Sequence, residues 1–215
     1  MKNKLYLIAL LLFSFATASV MATEEDDQVH QAATILSRFK SMPENQIPHR
    51  VLHQARGLAI LTVTKGGFIW SAKFGKGVVL ARNGKGWSGP SFIRTGGVGF
   101  GAQIGGQVTE LVLVLNTPEA VHAFMSGTTA ELGGALSVAA GPVGRAAEAN
   151  ISNQAAIYAY SINQGLFAGI SLEGTVISAR DDANARFYGQ RVTPAAVLTG
   201  KVAAPRRSAE LVAKL

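Results

Sequence analysis

Between Gly57 and Leu115 the chain reads GLAILTVTKGGFIWSAKFGKGVVLARNGKGWSGPSFIRTGGVGFGAQIGGQVTELVLVL, short apolar runs broken repeatedly by glycine. The runs Leu58–Val63, Phe68–Phe74, Val78–Ala81, Ser91–Arg94 and Val108–Leu115 are rich in β-branched and aromatic residues. Such side chains suit a pleated surface, and the Gly, Asn and Ser between them supply turns. Asn83-Gly84 predicts a two-residue hairpin turn, because both central positions of the favoured turn take φ > 0. Gly75, Gly99 and Gly101 fall inside the runs, where glycine signals a bend, a bulge or close approach of another backbone or a ligand. A curved antiparallel sheet follows. The alternating positions of Trp70 and Phe74 place both side chains in the core.

The N-terminus is a different kind of segment. Lys2 and Lys4 precede an apolar run over Leu5–Phe15, and Ala16-Thr17-Ala18 or Val20-Met21-Ala22 offers a small-residue cleavage site. Residues 1–22 therefore read as a secretory signal peptide, with an uncleaved anchor as the alternative. No Cys follows the run, so a lipoprotein anchor is not available, and a chain with 0 Cys makes no disulfides. The expected location is the periplasm or cell surface, soluble or peripherally membrane-associated. The remaining length suits one domain with a substantial core.

Charge is distributed unevenly. Residues 28–110 carry ten Lys/Arg against Glu44 and Glu110, whereas residues 111–215 are nearly balanced. A basic face of this kind implies an anionic partner; the alternative is that scattered lysines only solubilise a sheet.

Helices flank the sheet. Glu24-Glu25-Asp26-Asp27 followed by Val29, Ala32, Ala33, Leu36 and Phe39, then Arg38 and Lys40, predicts an amphipathic helix aligned with its dipole and ending before Pro43. A short second helix follows Pro48, carries Val51, Leu52 and Ala55, and closes at Gly57. Thr117-Pro118-Glu119 and Thr193-Pro194 are helix starts, each a capping hydroxyl before a proline. Ile157–Ile162 and Leu166–Ala179 read as strands split by a turn at Asn163-Gln164-Gly165, and Leu132–Gly144 is apolar but too short to span a membrane. From Ala203 onward, Pro205-Arg206-Arg207 and a short polar-apolar tail read as a frayed terminus.

Catalytic chemistry has little to draw on. Asp occurs only at Asp26, Asp27, Asp181 and Asp182, and His only at His30, His49, His53 and His122. His49 and His53 have metal-ligand spacing, but no carboxylate of matching spacing follows to complete a site. Gly84-Lys85-Gly86-Trp87-Ser88-Gly89 matches a dinucleotide-binding glycine pattern in form, yet Pro90 and a strand follow where a helix is required. A hairpin tip explains it. No enzyme, metal or cofactor is expected.

Binding is better supplied. Lys73, Lys76, Arg82, Lys85 and Arg94 lie at strand ends and turns among aromatics, and form one expected anion-facing patch around Asn83-Gly84 with Trp87 as the apolar partner at the tip. Arg145, in the turn of Ala140-Gly141-Pro142-Val143-Gly144-Arg145, is a further candidate, either for an anion or for tying down its own loop. Such a mixture also suits single-stranded nucleic acid, which export argues against.

The order and spacing of several segments resemble the SYLF domain family. They are Ile47-Pro48, Ala55-Arg56-Gly57-Leu58-Ala59-Ile60, Lys65-Gly66-Gly67 and Trp87-Ser88-Gly89-Pro90-Ser91. Gly101-Ala102-Gln103-Ile104-Gly105, Leu111–Asn116, the 140–145 segment, Tyr158-Ala159-Tyr160-Ser161, Gly165-Leu166-Phe167-Ala168-Gly169 and Asn184–Gly189 complete the set. Glu110 stands where that pattern more often has Asp. The resemblance implies binding of phosphoinositides or other anionic lipids, and actin binding in the eukaryotic members. Export would separate this chain from cytosolic actin and cytosolic phosphoinositides. The expected organisation is a signal peptide (1–22), an N-terminal helical segment (23–46), a SYLF-like domain (47–205) and a tail (206–215). The expected fold is α+β: a glycine-rich, mostly antiparallel curved sheet or partial barrel flanked by short helices. The expected function is non-enzymatic binding of anionic phospholipid in the cell envelope, with a structural or assembly role through protein contacts as the alternative.

Overall fold

The computed structural model describes residues 23–42, 47–68, 70–100, 105–126, 130–132, 136–143, 155–163 and 175–215. Three long strands form its centre: β1 (Gly57–Phe68), β2 (Trp70–Asn83) and β4 (Ser91–Phe100), with the two-residue β3 (Gly86–Trp87) pairing to the end of β2. β5 (Gly105–Leu115), β6 (Ala130–Leu132), β7 (Val138–Ala140), β8 (Ile157–Asn163) and β9 (Thr175–Ala179) complete a sheet in the order β6-β9-β4-β2-β1-β5-β8-β7. Every described pairing is antiparallel except β7 with β8. The sheet curls strongly into a half-barrel, as the sequence leads one to expect.

Two apolar layers sandwich it, which explains why the central runs are continuously apolar rather than alternating. One layer joins Leu58, Ile60, Val78, Leu80, Phe92, Val112 and Val114 to the helix α1 (Thr23–Ser41), through Val29, Ala32, Ala33, Ile35, Leu36 and Phe39. The helices α2 (His49–Gln54) and α4 (Asp181–Tyr188) add Val51, Leu52, Ala183 and Phe187 to that layer. The other face presents Ala59, Leu61, Val79, Ala81, Ile93, Leu111 and Leu113 to α3 (Pro118–Met125) and α5 (Pro194–Leu198). Both proline-started helices form as the sequence predicts, with Thr117 and Thr193 hydroxyls accepting from the Ala120 and Ala196 amides.

Curling requires close strand approach at two glycines of β2. A Cβ on Gly77 would lie 2.8 Å from Leu61 Cα and still closer to the Ile60 carbonyl, and one on Gly75 would lie 2.8 Å from the Thr62 carbonyl. Gly75 is thus the tight-approach glycine that its place inside a run implies. Gly99 lies in β4 opposite Ser71, while Gly101 falls outside the described residues.

Several details differ from the sequence expectation. The two residues between β2 and β3 are Gly84 and Lys85, one position later than an Asn83-Gly84 turn, with Asn83 pairing Gly86. Asn83 instead folds its side chain back, its Oδ1 accepting from the Lys85 amide at 2.9 Å, and positive φ falls at Gly86 (+115°). This Asx-type bond takes over the role assigned to an αL Asn. Gly57 does not close α2, which ends at Gln54 with Ala55 as its cap; it opens β1, wedged between Leu115, Leu80 and Val121. The tail is not frayed: a 3₁₀ turn (Arg206–Ser208) leads into α6 (Ala209–Ala213), whose Leu211 is 0% exposed against the α1 layer. α4 is a helix that the patterning left unassigned, although Asp181 and Asp182 at its start and Gly189 at φ +68° after its end are ordinary helix signals.

Candidate functional site

The five basic residues expected to form one patch are divided by the pleat and by distance. Val78, Leu80 and Phe92 face the α1 layer, so Lys76 and Arg94, an even number of residues away on the same strands, share that face and pair directly across β2 and β4. Arg94 is exposed, its Nε donating to Ser178 Oγ at 3.2 Å, and among the described residues no carboxylate pairs with it. Lys76 Nζ donates to Glu24 Oε1 at 2.7 Å, and the Arg180 guanidinium reaches the same oxygen at 3.3 Å. The Lys76 hydrogen bond, then the Arg180 and Lys76 charges, hold the Glu24 carboxyl below the ordinary glutamate range despite some opposing desolvation. Arg180, half-buried after β9, is part of this cluster; its sequence position, far from the basic stretch, gave no sign of it.

Lys73 is on the opposite face, directly across from Lys65. Burial first, then the Lys65 charge, lowers its pKa from the usual lysine value. Two cations placed opposite each other destabilise a strand pair unless an anion stands between them.

Arg82, Lys85 and Trp87 sit together at the other end of β2. Asn83 lies seven residues along β2 from Lys76, about 23 Å at the usual strand rise. Lys85 is exposed at the turn tip. Trp87 is half-buried, packed on the α1-side core, with the Arg82 guanidinium 4.7 Å over its ring and Arg82 Nε donating to the Ala55 carbonyl at 3.2 Å. Its ring is a structural partner of Arg82 and not the protruding aromatic that the sequence suggested. Arg82 also borders an open groove of about 550 Å³ with Arg56, Glu119, Val121, His122 and Met125.

Phe74 corrects the core assignment. It is 69% exposed, on the same face as Lys76 but one pleat further from α1. The side chain of Trp70 and the whole of Arg145 lie outside the described residues. The loop ahead of Arg145 is held at Pro142, whose carbonyl accepts from the Tyr160 hydroxyl at 3.1 Å.

Among the described residues no group of three or more His, Cys, Asp or Glu could hold a metal ion. No described helix is long and apolar enough to cross a membrane. The described surface therefore offers three separated groups of cations on the sheet, Lys76 with Arg94, Lys65 with Lys73, and Arg82 with Lys85, the first of them beside the exposed Phe74.

A family described as Ysc84, Las17-binding protein actin regulator, matches residues 96–215, more than half of the chain. The chain belongs to the Ysc84 family. It is similar to LAS seventeen-binding protein 3 of Saccharomyces cerevisiae, 44% identical over 190 residues, covering 83% of this chain and 41% of that protein. Protein YSC84 of the same yeast is 47% identical over 164 residues, covering 74% of this chain and 35% of its own. SH3 domain-containing YSC84-like protein 1 of Bos taurus is 42% identical over 193 residues, covering 86% of this chain and 56% of its own. The chain thus spans roughly a third to a little over half the length of these Ysc84-family relatives. The Ysc84 description is that of a binding protein, and it agrees with the SYLF resemblance carried by the motifs.

Proposed function

We propose that this Ysc84-family domain works without catalysis, as a binding module for anionic lipid surfaces of the phosphoinositide or phospholipid class. One observation carries the reading: Arg94, with no carboxylate partner among the described residues, stands beside Lys76 on an open sheet face in a chain whose net charge is +7. Each Lys or Arg near an anionic membrane contributes about 1 kcal/mol, so a few such groups suffice for reversible attachment. Residue supply supports a non-catalytic role, since Asp26 and Asp182 are committed to Arg207 and Arg186 and the chain has 0 Cys. Flotation with phosphatidylcholine vesicles, with and without anionic lipid, tests the proposal. Binding should require the anionic lipid and weaken as salt rises.

A second reading, a protein partner, is favoured by the family's description as a Las17-binding protein actin regulator. It predicts no vesicle binding and capture of a protein through contacts that salt leaves largely intact.

We further propose export, on the strength of Lys2, Lys4, the Leu5–Phe15 run and the small residues Ala18 and Ala22. Mass spectrometry of the protein recovered from its host should find an N-terminus at Ser19 or Thr23. An intact Met1 on the exported protein contradicts it.

A further inference from the structure

The register of the sheet aligns exposed side chains into a row across five strands. Val108 of β5 faces Thr64 of β1, Thr64 faces Phe74 of β2, Phe74 faces Gly96 of β4, and Gly96 faces Val176 of β9. Val108 is 46% exposed, Phe74 69% and Val176 36%, and a Cβ on Gly96 would meet nothing within 4 Å. One pleat closer to α1 runs a polar row, Glu110, Thr62, Lys76, Arg94 and Ser178. One pleat further still, Val112, Ile60, Val78 and Phe92 are buried. α1 fastens to the polar row, through Arg38 to Glu110 at 2.6 Å and Glu24 to Lys76, and leaves the apolar row outside it uncovered.

Rows two residues apart along a strand are separated by about 7 Å. An interfacial protein element inserts its apolar side about 5–10 Å below the headgroups, so that spacing fits an apolar row below and a cationic row at the phosphates. A second copy of the chain fits less well. Three partly exposed apolar side chains in one line fall well short of the roughly 800 Å² per partner that a stable protein interface buries. Lys76 and Arg94 would also meet their own like charges across a two-fold axis.

We propose that Phe74, flanked by Val108 and Val176, is the membrane-inserting element of this domain, entering the headgroup–acyl boundary of an anionic bilayer while Lys76 and Arg94 meet the lipid phosphates. This rests on the lipid-binding reading and adds to it the contact surface and its orientation: the sheet face beside the start of α1 lies toward the bilayer.

The test compares the full chain with Phe74→Ser and Phe74→Trp, using vesicles of phosphatidylcholine and phosphatidylglycerol. Phe74→Ser, at an exposed site, should melt like the wild type and bind about five- to thirtyfold more weakly. Its remaining binding should vanish at high salt, where the wild type keeps a measurable part. Phe74→Trp should bind as the wild type does, and bromine-labelled lipid should quench its fluorescence beyond the wild-type level set by Trp70 and Trp87. Wild-type-like binding by Phe74→Ser, or no added quenching in Phe74→Trp, overturns the insertion while leaving lipid binding standing. A wild type that ignores anionic vesicles overturns the lipid reading itself. A Phe74-dependent dimer in sedimentation equilibrium would make the row a self-association surface and overturn the inference.

Discussion

Single residues show most clearly how the sequence is constrained. Gly77 is irreplaceable on steric grounds, because the atoms a Cβ would strike are the Ile60 carbonyl and Leu61 Cα of the neighbouring strand's backbone. Gly77→Ala should cost 2 kcal/mol or more, about the upper range of overpacking, and lower Tm by about 4–8 °C. Gly96→Ala meets open space and should leave Tm within about 1–2 °C; differential scanning calorimetry of the pair checks both. Asn184, 0% exposed, accepts from the Phe92 amide at 2.8 Å and donates toward Ser91 Oγ at 3.4 Å, tying α4 to the start of β4. Asn184→Ala leaves a buried amide unsatisfied and should cost about 1–3 kcal/mol in urea unfolding. Glycines within β-rich runs were legible as sites of close approach. The side of the sheet on which each crowded atom lies was not, because that depends on register.

At the level of elements, patterning located α1, α3, α5 and the central strands, since each has its own cap or period. It missed α4, whose apolar side is short, and misread the last ten residues as loose. Leu211 is the reason they are ordered: it is buried in the same core layer as α1, and α6 packs on α1, a long-range contact that no local pattern reveals. Leu211→Ala should cost about 2–5 kcal/mol, and reduced protection of α1 amides in hydrogen exchange would show the coupling. The start of α1 is fastened electrostatically. Glu24 reaches Lys76 and Arg180, the nearly buried Glu25 accepts from Arg186 at 2.7 and 2.9 Å, and Asp26 pairs Arg207. The Asp182 carboxyl beside them is raised by burial, but the Ala183 amide and the Arg186 and Arg180 charges outweigh this and hold it low. Glu24 and Asp182 have folded pKa values below their unfolded ones. Their contribution is therefore present above about pH 4–4.5 and is lost as the pH falls through the lower folded values. Thermal melts followed by circular dichroism should show Tm falling below about pH 4, and Glu24→Gln should flatten part of that fall. At the alkaline end, burial raises the pKa values of Tyr160 and Tyr188. The stability they hold is complete below about pH 10 and is lost as pH rises beyond it, where the unfolded chain ionises first.

Over the whole molecule, the fold class and the half-barrel were legible, because glycine punctuation and β-rich runs are local signals. The binding surface was only partly so. Cations close in sequence were expected to be close in space, but β2 is long enough to carry Lys76 and Lys85 to opposite ends and its pleat sends Lys73 to the other face. Phe74 looked like core because its period matches that of the buried positions; α1 stops covering the sheet before reaching it. If the exposed cations beside α1 hold the domain on anionic lipid, the Arg94→Glu variant is the decisive probe. Its side chain has no carboxylate partner among the described residues, so the melting temperature should stay within about 2 °C of the wild type. Co-sedimentation with anionic phosphatidylcholine–phosphatidylglycerol vesicles at low salt should then show an affinity several-fold to about thirtyfold weaker than wild type. A folded Arg94→Glu variant that binds those vesicles as tightly as the wild type would contradict electrostatic attachment through this face.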